Sequence, residues 1–254
     1  MGVEGAKPLA LSVMFFQAEG LVKAFGALRA VDDISFAVTR GEILGIAGPN
    51  GSGKSTLFNI ITNIPFRADA GRVVFEGRAL QHRSGHAISR MGLARTFQRE
   101  SIFPSLSAID NVLAAVEHSR AAAGRRSNER RAEATLDLVG FPATMHNSLS
   151  GNLPIVYRKL VMIAAALALE PRLLLLDEPA ASLTLAEIER VRALILRLRA
   201  QGMTIVLIEH VLPLLTSVSD RLLVLDRGKV ISQGSPAAVV ADPLVVEAYL
   251  GVAQ

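Results

Sequence analysis

One short segment constrains the fold of this chain more than any other, and it reads Gly48-Pro49-Asn50-Gly51-Ser52-Gly53-Lys54-Ser55-Thr56. It matches the pattern of a phosphate-binding loop. In such a loop glycines let backbone N–H groups approach phosphate oxygens, and the following helix adds the positive end of its dipole. The apolar run 43–47 predicts a strand before the loop, and residues 55–62 predict a helix after it. We therefore expect an α/β fold that binds the phosphates of a nucleotide.

Residue types within the loop assign expected roles. Lys54 would neutralise charge on the β- and γ-phosphates, and the Ser55 hydroxyl would bind Mg²⁺. The remaining residues expected around the phosphates are Asn50, Gly51, Ser52, Gly53 and Thr56.

Two adjacent carboxylates, Asp177 and Glu178, follow the apolar run 173–176. A buried strand that ends in a carboxylate places Asp177 at the carboxyl edge of the sheet, where a magnesium ion carried by the nucleotide would lie. Glu178 is suited to polarise the attacking water as a general base. An acidic pair after a strand is more often a turn or helix-start feature, but together with the phosphate loop it is a much more specific sign of a nucleotide site.

Hydrophobic periodicity predicts both kinds of sheet. Alternation over 30–38 and the short run 72–75 indicate antiparallel strands, and the runs 221–225 and 229–232 flank the turn Asp226-Arg227-Gly228 as a hairpin. The continuous apolar runs 173–176 and 204–208 are typical of parallel strands that are covered by helices on both faces.

Helical spacing fills two further regions. Residues 185–198 predict an amphipathic helix, with Thr184 and Glu187 as its capping box. Residues 105–169 have helical spacing without a convincing strand, and we interpret them as a helical subdomain. The expected domains are a tail at 1–14 and one cassette at 15–254.

No segment is predicted to cross a membrane. Half of the residues are apolar, but the longest unbroken apolar run, 161–169, is too short to span a bilayer. Residues 1–14 lack the order of features found in a signal peptide, and we interpret them as a loose tail. The absence of cysteine excludes disulfides and favours a cytosolic protein.

The net charge of +4 admits nucleic acid or an anionic lipid surface as a partner. Much of the basic excess is local, and a solvated helical face explains it better than either partner, because no aromatic residues are interleaved to stack on bases. We therefore expect no nucleic-acid partner. The basic residues concerned are Arg120, Arg125, Arg126, Arg130 and Arg131.

Four motifs in this order, GPNGSGKST, ARTFQ with Gln98, LLLLDEP and VLIEH with His210, resemble the ATP-binding cassette of ABC transporters. The resemblance extends from about Phe16 to Gly251. It implies a P-loop NTPase core with an antiparallel β subdomain and an inserted helical subdomain, working as one half of a dimer that encloses ATP.

The resemblance also implies roles for single residues. Gln98 would sense the γ-phosphate and the metal, bind Mg²⁺, and link the site to the membrane subunits. His210 would contact the γ-phosphate, and Phe25 would stack on adenine. Without the resemblance, Gln98 and His210 would read as an ordinary loop residue and a strand-end histidine, and Phe25 could be a core residue.

Finer features, GLARTFQ, FPSLSAIDNV and VEAYLG, look like the ATPases of branched-chain amino-acid importers. That likeness implies membrane-spanning permease subunits, a periplasmic binding protein that acts indirectly, and a peripheral location on the cytoplasmic face of the bacterial inner membrane. Amides, urea and aromatic compounds stay open as cargo, because the ATPase does not touch the cargo.

One family motif is degenerate. Counting back from Asp177 places the LSGGQ-type signature at Leu153-Pro154-Ile155-Val156-Tyr157; the alternative is Leu149-Ser150-Gly151-Asn152. The β-branched Ile155 and Val156 would make a poor cap for the ATP of a partner. We therefore favour a heterodimer with a second ATP-binding subunit, with a homodimer as the alternative.

Two other functions fit parts of the pattern. A cassette ATPase of DNA repair or translation usually carries a coiled-coil insertion or a second cassette, and this sequence shows neither. A regulatory module that holds ATP without hydrolysing it is favoured by the degenerate signature and disfavoured by Glu178 and His210.

Overall fold

The computed structural model describes residues 14–97 and 101–250. Within these ranges the strands form two sheets. The strands of the first sheet are β1 (Phe16–Phe25), β2 (Leu28–Val38), β4 (Ala70–Phe75) and β5 (Arg78–Ala79). The strands of the second sheet are β3 (Ile43–Ala47), β6 (Leu93–Arg95), β7 (Leu173–Asp177), β8 (Thr204–Ile208), β9 (Arg221–Asp226) and β10 (Lys229–Gly234).

Helices connect most of these strands. Their bounds are α1 (Lys54–Thr62), α2 (Gly85–Arg90), α3 (Ala108–His118), α4 (Arg125–Leu138), α5 (Ile155–Ala168), α6 (Leu185–Ala200), α7 (Leu212–Val218), α8 (Pro236–Val240) and α9 (Pro243–Leu250). Short 3₁₀ turns lie at Ala143–Met145 and Ser150–Asn152. None of the helices in the described ranges combines the length and the apolarity needed to span a bilayer.

The first sheet is antiparallel, in the order β2-β1-β4-β5. The alternation over 30–38 correctly predicted β2, which begins two residues earlier, at Leu28. Its inward side chains and those of β1 and β4 share one apolar core with α1, around the fully buried rings of Phe16, Phe58 and Phe75.

The second sheet has the order β10-β9-β3-β8-β7-β6, with parallel pairing everywhere except the β9–β10 hairpin. Every residue of β3, β7 and β8 is buried, as the continuous apolar runs predicted. The sequence predicted helices on both faces of this sheet, and the structure shows helices alone on only one face. Helices α5, α6 and α7 cover one face, whereas α1 and the antiparallel sheet cover the other.

Helix α6 begins as predicted. The Glu187 carboxylate accepts hydrogen bonds of 2.8 Å from both the backbone N–H and the hydroxyl of Thr184. Thr184 is the N-cap residue, and these bonds form the predicted capping box at the start of the helix. The chain between β6 and β7 is helical in its described part, and α3, α4 and α5 pack on one another. The mixed α/β fold class predicted from the sequence is confirmed, with an antiparallel sheet beside a mostly parallel one.

The basic residues of 120–131 lie at the start of α4 and in the segment before it. Arg120, Arg125, Arg126 and Arg130 are exposed, and Arg125 pairs with Glu129 at 2.9 Å. This arrangement fits the solvated helical face that the sequence predicts for them.

Candidate functional site

The phosphate loop joins the end of β3 to the start of α1, where Gly53 precedes the helix with a φ of +103°. A Cβ on Gly53 would lie 2.2 Å from the carbonyl oxygen of Ala30, so only glycine fits. Helix α1 has no acidic residue in its first turn and no side chain that caps its N-terminus. Its first backbone N–H groups therefore face the loop as an anion-binding end.

Lys54 is 4% exposed, and its ammonium group is held inside the loop. The Nζ atom donates hydrogen bonds of 2.8 Å to the carbonyl oxygens of Gly48 and Pro49. Burial lowers the pKa of Lys54, while the nearby carboxylates of Glu178 and Asp177 act in the opposite direction. Lys54 and Glu178 line the same cleft and are therefore close in the fold, although more than 100 residues separate them in the sequence.

Asp177 is the last residue of β7, and its carboxylate is buried. Oδ2 accepts a 2.8 Å bond from the Arg95 guanidinium, whereas Oδ1 is buried and has no hydrogen-bond partner among residues 14–97 and 101–250. Burial raises the pKa of Asp177, and the bond from Arg95 opposes that rise. An unpartnered buried carboxylate oxygen is costly unless a ligand completes it, which fits a metal-binding role.

Glu178 turns the chain away from β7 with a φ of +50°, a conformation that few residues other than glycine adopt. Its backbone N–H donates to the carbonyl of Ile208, and its carbonyl accepts a 2.8 Å bond from Lys159. The Oε1 atom lies 2.7 Å from Nε2 of His210. These bonds bring together the two residues predicted to act on the attacking water and the γ-phosphate.

An open cleft of about 410 Å³ lies in front of the phosphate loop. Phe25, on β1, forms part of one wall, and Glu178 contributes from the end of β7. The lining also includes Leu28, Ala30, Asn50, Gly51, Ser52, Gly53, Lys54, Ser55 and Thr56. Most of the residues predicted from the sequence therefore surround one space, whereas His210 and the buried Asp177 are not among its lining residues.

The Phe25 ring is 45% exposed, so it is a surface aromatic rather than a core residue. It meets the Phe66 ring edge to face at 5.1 Å, and the Lys23 ammonium lies 5.4 Å from both ring centroids. A partly exposed ring of this kind, positioned by its neighbours, can offer a face to a nucleobase.

Gln98 lies outside the described residues, but the segment that leads to it is well anchored. The backbone N–H of Thr96 donates a hydrogen bond to the carbonyl oxygen of Leu175, and the Thr96 hydroxyl accepts a 3.1 Å bond from the N–H of Asp177. The chain therefore leaves β6 directly beside Asp177 just before Gln98.

Two functional candidates escaped the sequence reasoning. The first is Arg95, which contacts Asp177.

The second is Glu209, which is 1% exposed and accepts hydrogen bonds from the backbone N–H groups of Ala180 and His210 at 2.5 and 3.1 Å. Glu209 ties the turn after Glu178 to the loop that carries His210. Burial raises the pKa of Glu209, although the backbone N–H groups oppose that rise. In the sequence, only the position of Glu209 between an apolar strand and His210 indicates a role for it.

Both candidate signature segments are described. Residues 153–157 span the start of α5, with Ile155 39% exposed and Val156 buried. In the alternative segment Ser150 is fully buried, and its hydroxyl accepts a 3.0 Å bond from Asn111. Ser150 is therefore engaged inside the helical region, whereas Ile155 faces the surface.

The residues present fit a magnesium ion that arrives with a triphosphate. Protein sites for Mg²⁺ commonly supply one or two oxygens and leave the rest to phosphates and water. The unpartnered Oδ1 of Asp177 and the Ser55 hydroxyl at the start of α1 are such oxygens. In the described part of the chain, no three His, Asp or Glu side chains gather to hold a metal by themselves.

Comparisons with known proteins agree with this geometry. A family model described as ABC transporter matches residues 31–181, and one described as branched-chain amino acid ATP-binding cassette transporter matches 229–254. The chain is 33% identical to the high-affinity branched-chain amino acid transport ATP-binding protein BraF of Pseudomonas aeruginosa, over 96% of this chain and 100% of that one. It is 36% identical to the lipopolysaccharide export system ATP-binding protein LptB of Acidithiobacillus ferridurans, over 92% and 96%.

A solved structure gives the same result for the fold. The ADP conformation of MJ1267, an ATP-binding cassette of an ABC transporter, superposes with a TM-score of 0.82 at 30% identity. The match covers 94% of this chain and 99% of that one.

Proposed function

Because this chain belongs to the ABC transporter family of ATP-binding cassettes, we propose that it binds Mg-ATP beside its phosphate loop, hydrolyses it, and energises an importer. One observation carries the proposal. A single cleft is lined by the loop 50–56, by Glu178 and by the exposed ring of Phe25, which together match a triphosphate, an attacking water and an adenine.

The residues divide the work by position. The N–H groups at the start of α1 and the Lys54 ammonium bind the phosphates, and Lys54 exchanges its bonds to Gly48 and Pro49 for phosphate oxygens. Bound Mg²⁺ supplies charge stabilisation of the phosphates, with Ser55, Asp177 and Gln98 as its protein ligands. Glu178 orients and deprotonates the attacking water, and His210 holds Glu178 and contacts the γ-phosphate.

Binding of Mg-ATP to the purified chain tests this proposal. We expect saturable binding by the wild type and a loss of affinity of at least about tenfold in Lys54→Ala, because a charge-assisted contact to phosphate disappears. Arg126→Ala removes an exposed cation away from the cleft and serves as the control. Equal affinity of Lys54→Ala and the control would contradict the proposed site.

The cargo that we propose is a branched-chain amino acid or a related small polar solute such as an amide or urea. The match of residues 229–254 and the likeness to BraF support this choice, whereas the likeness to LptB shows that similar cassettes serve other cargo. Uptake of radiolabelled leucine, urea and acetamide by host cells with and without the gene decides between them. Unchanged uptake of all three would remove this cargo class.

We further propose that the chain works at the cytoplasmic face of the inner membrane with permease subunits, a periplasmic binding protein and a second cassette, as a heterodimer. The support lies in 153–157, where Ile155 is exposed on the first turn of α5 and supplies no side-chain donor for the ATP of a partner. ATP hydrolysis by the purified chain as fast as by the assembled transporter would contradict the heterodimer. Single-turnover hydrolysis with and without a partner cassette separates it from a purely regulatory module.

A further inference from the structure

The C-terminal helix α9 reaches the phosphate loop through one side chain. The backbone N–H of Gly48 donates a 2.8 Å hydrogen bond to the hydroxyl oxygen of Tyr249. Tyr249 is partly buried and packs against the apolar core that the second sheet forms with helices α5, α6 and α7, and Val245 on the same helix is 4% exposed. The phenol is therefore fixed by its own helix as well as by the loop.

Gly48 connects this hydroxyl to the phosphate-binding lysine. Its N–H is bonded to Tyr249, and its carbonyl oxygen accepts a 2.8 Å bond from Nζ of Lys54. Gly48 has a φ of +145°, and a Cβ there would lie 2.2 Å from the carbonyl oxygen of Leu225. The loop is thus closed in by the sheet on one side and bonded to Tyr249 by its first residue.

The chemistry of the phenol suits a loop that receives a triphosphate. Burial raises the pKa of Tyr249, although the Gly48 N–H opposes that rise, so the hydroxyl is neutral at physiological pH. A neutral oxygen satisfies the Gly48 N–H without placing a negative charge beside the phosphates. A carboxylate at the same place would repel the nucleotide.

We propose that Tyr249 is a positioning residue that holds the first residue of the phosphate loop, through Gly48, in the conformation that presents Lys54 to the nucleotide. This inference rests on the proposed function. It gives a role to Tyr249, which lies within the range 229–254 that matches the branched-chain amino acid cassette model.

The test compares Tyr249→Phe with the wild type, since phenylalanine keeps the ring and removes only the hydroxyl. We expect the Kd for Mg-ATP to rise roughly threefold to tenfold because the buried Gly48 N–H loses its acceptor. Kd is measured well below both melting midpoints, where a merely structural role would leave it unchanged. Amide hydrogen exchange at Gly48 should also become severalfold faster, while exchange in β7 stays the same.

Val246→Ala, an exposed change on the same helix, is the matched control and should leave both measurements unchanged. A wild-type chain that fails to bind Mg-ATP would overturn the proposed function and this role with it. If the wild type binds and Tyr249→Phe binds with the same Kd, the positioning role alone is overturned, whatever the exchange rate.

Discussion

The guanidinium of Arg95 lies 2.8 Å from the carboxylate of Asp177, and the two side chains are only 6% and 0% exposed. Arg95 ends β6 and also bonds to Asn59 on α1 at 2.8 Å. One buried cation thus joins the proposed metal ligand, the helix behind the phosphate loop and the strand that leads to Gln98.

Replacing Arg95 by methionine should destabilise the protein by about 3 kcal/mol, because it leaves the buried carboxylate of Asp177 without its cation. The free energy of unfolding in urea measures the effect. Adding Asp177→Asn to Arg95→Met should recover much of the loss, since an amide tolerates burial better than an unpaired charge. Strictly additive single and double changes would show that the two groups are not coupled.

Phe25→Ala should weaken ATP binding by roughly 1–3 kcal/mol, the usual range for loss of stacking on a base. Affinity for inorganic triphosphate should not change, because the phosphate loop is untouched. The Phe103→Ala variant removes another exposed phenylalanine, one that does not line the cleft, and is the matched control. An equal loss of affinity for ATP and triphosphate would exclude adenine stacking as the role of Phe25.

Glu178→Gln should slow ATP hydrolysis by at least about 100-fold, because the amide cannot accept the proton of the attacking water. The Kd for Mg-ATP should stay close to that of the wild type, so the variant traps ATP. Steady-state phosphate release and equilibrium binding give the two values, with the exposed Glu133→Gln as control. Fast turnover in Glu178→Gln would remove Glu178 as the base.

Glu209 predicts a pH dependence of stability. The pKa of Glu209 in the folded protein lies above the ordinary value of 4.5. The stability that its protonated carboxyl contributes is therefore complete below pH 4.5 and is lost as pH rises through the folded pKa. Glu209→Gln removes this titration. The melting temperature of the variant minus that of the wild type should therefore increase from about pH 4 to pH 7. If the melting temperature of the variant minus that of the wild type stays constant or falls as pH rises, burial does not raise the pKa of Glu209.

The phosphate loop, the carboxylate pair and the hairpin were predictable because each is encoded locally, by adjacent residues with a defined periodicity. Strand β1 was not predicted. Its alternation is interrupted at Gly20, where φ is +57° and the pairing with β2 shifts register between Ala18 and Leu21. A bulged strand of this kind loses the period of two on which the sequence argument depends.

The contacts that complete the site could not be read from the sequence, because they join distant residues. Arg95 and Asp177 are 82 positions apart, and Gly48 and Tyr249 are 201 apart. Tyr249 was recognisable only as part of the VEAYLG pattern, and Glu209 only as the neighbour of His210. These contacts form because β6 pairs with β7 and α9 packs near the phosphate loop. No local sequence pattern indicates either arrangement.

A crystal structure of Glu178→Gln grown with saturating Mg-ATP tests the central claim most directly. We expect the triphosphate against the N–H groups of residues 50–56, the adenine on Phe25, and the metal between Ser55 and Asp177. An empty cleft, or a nucleotide bound elsewhere on the chain, would contradict the account.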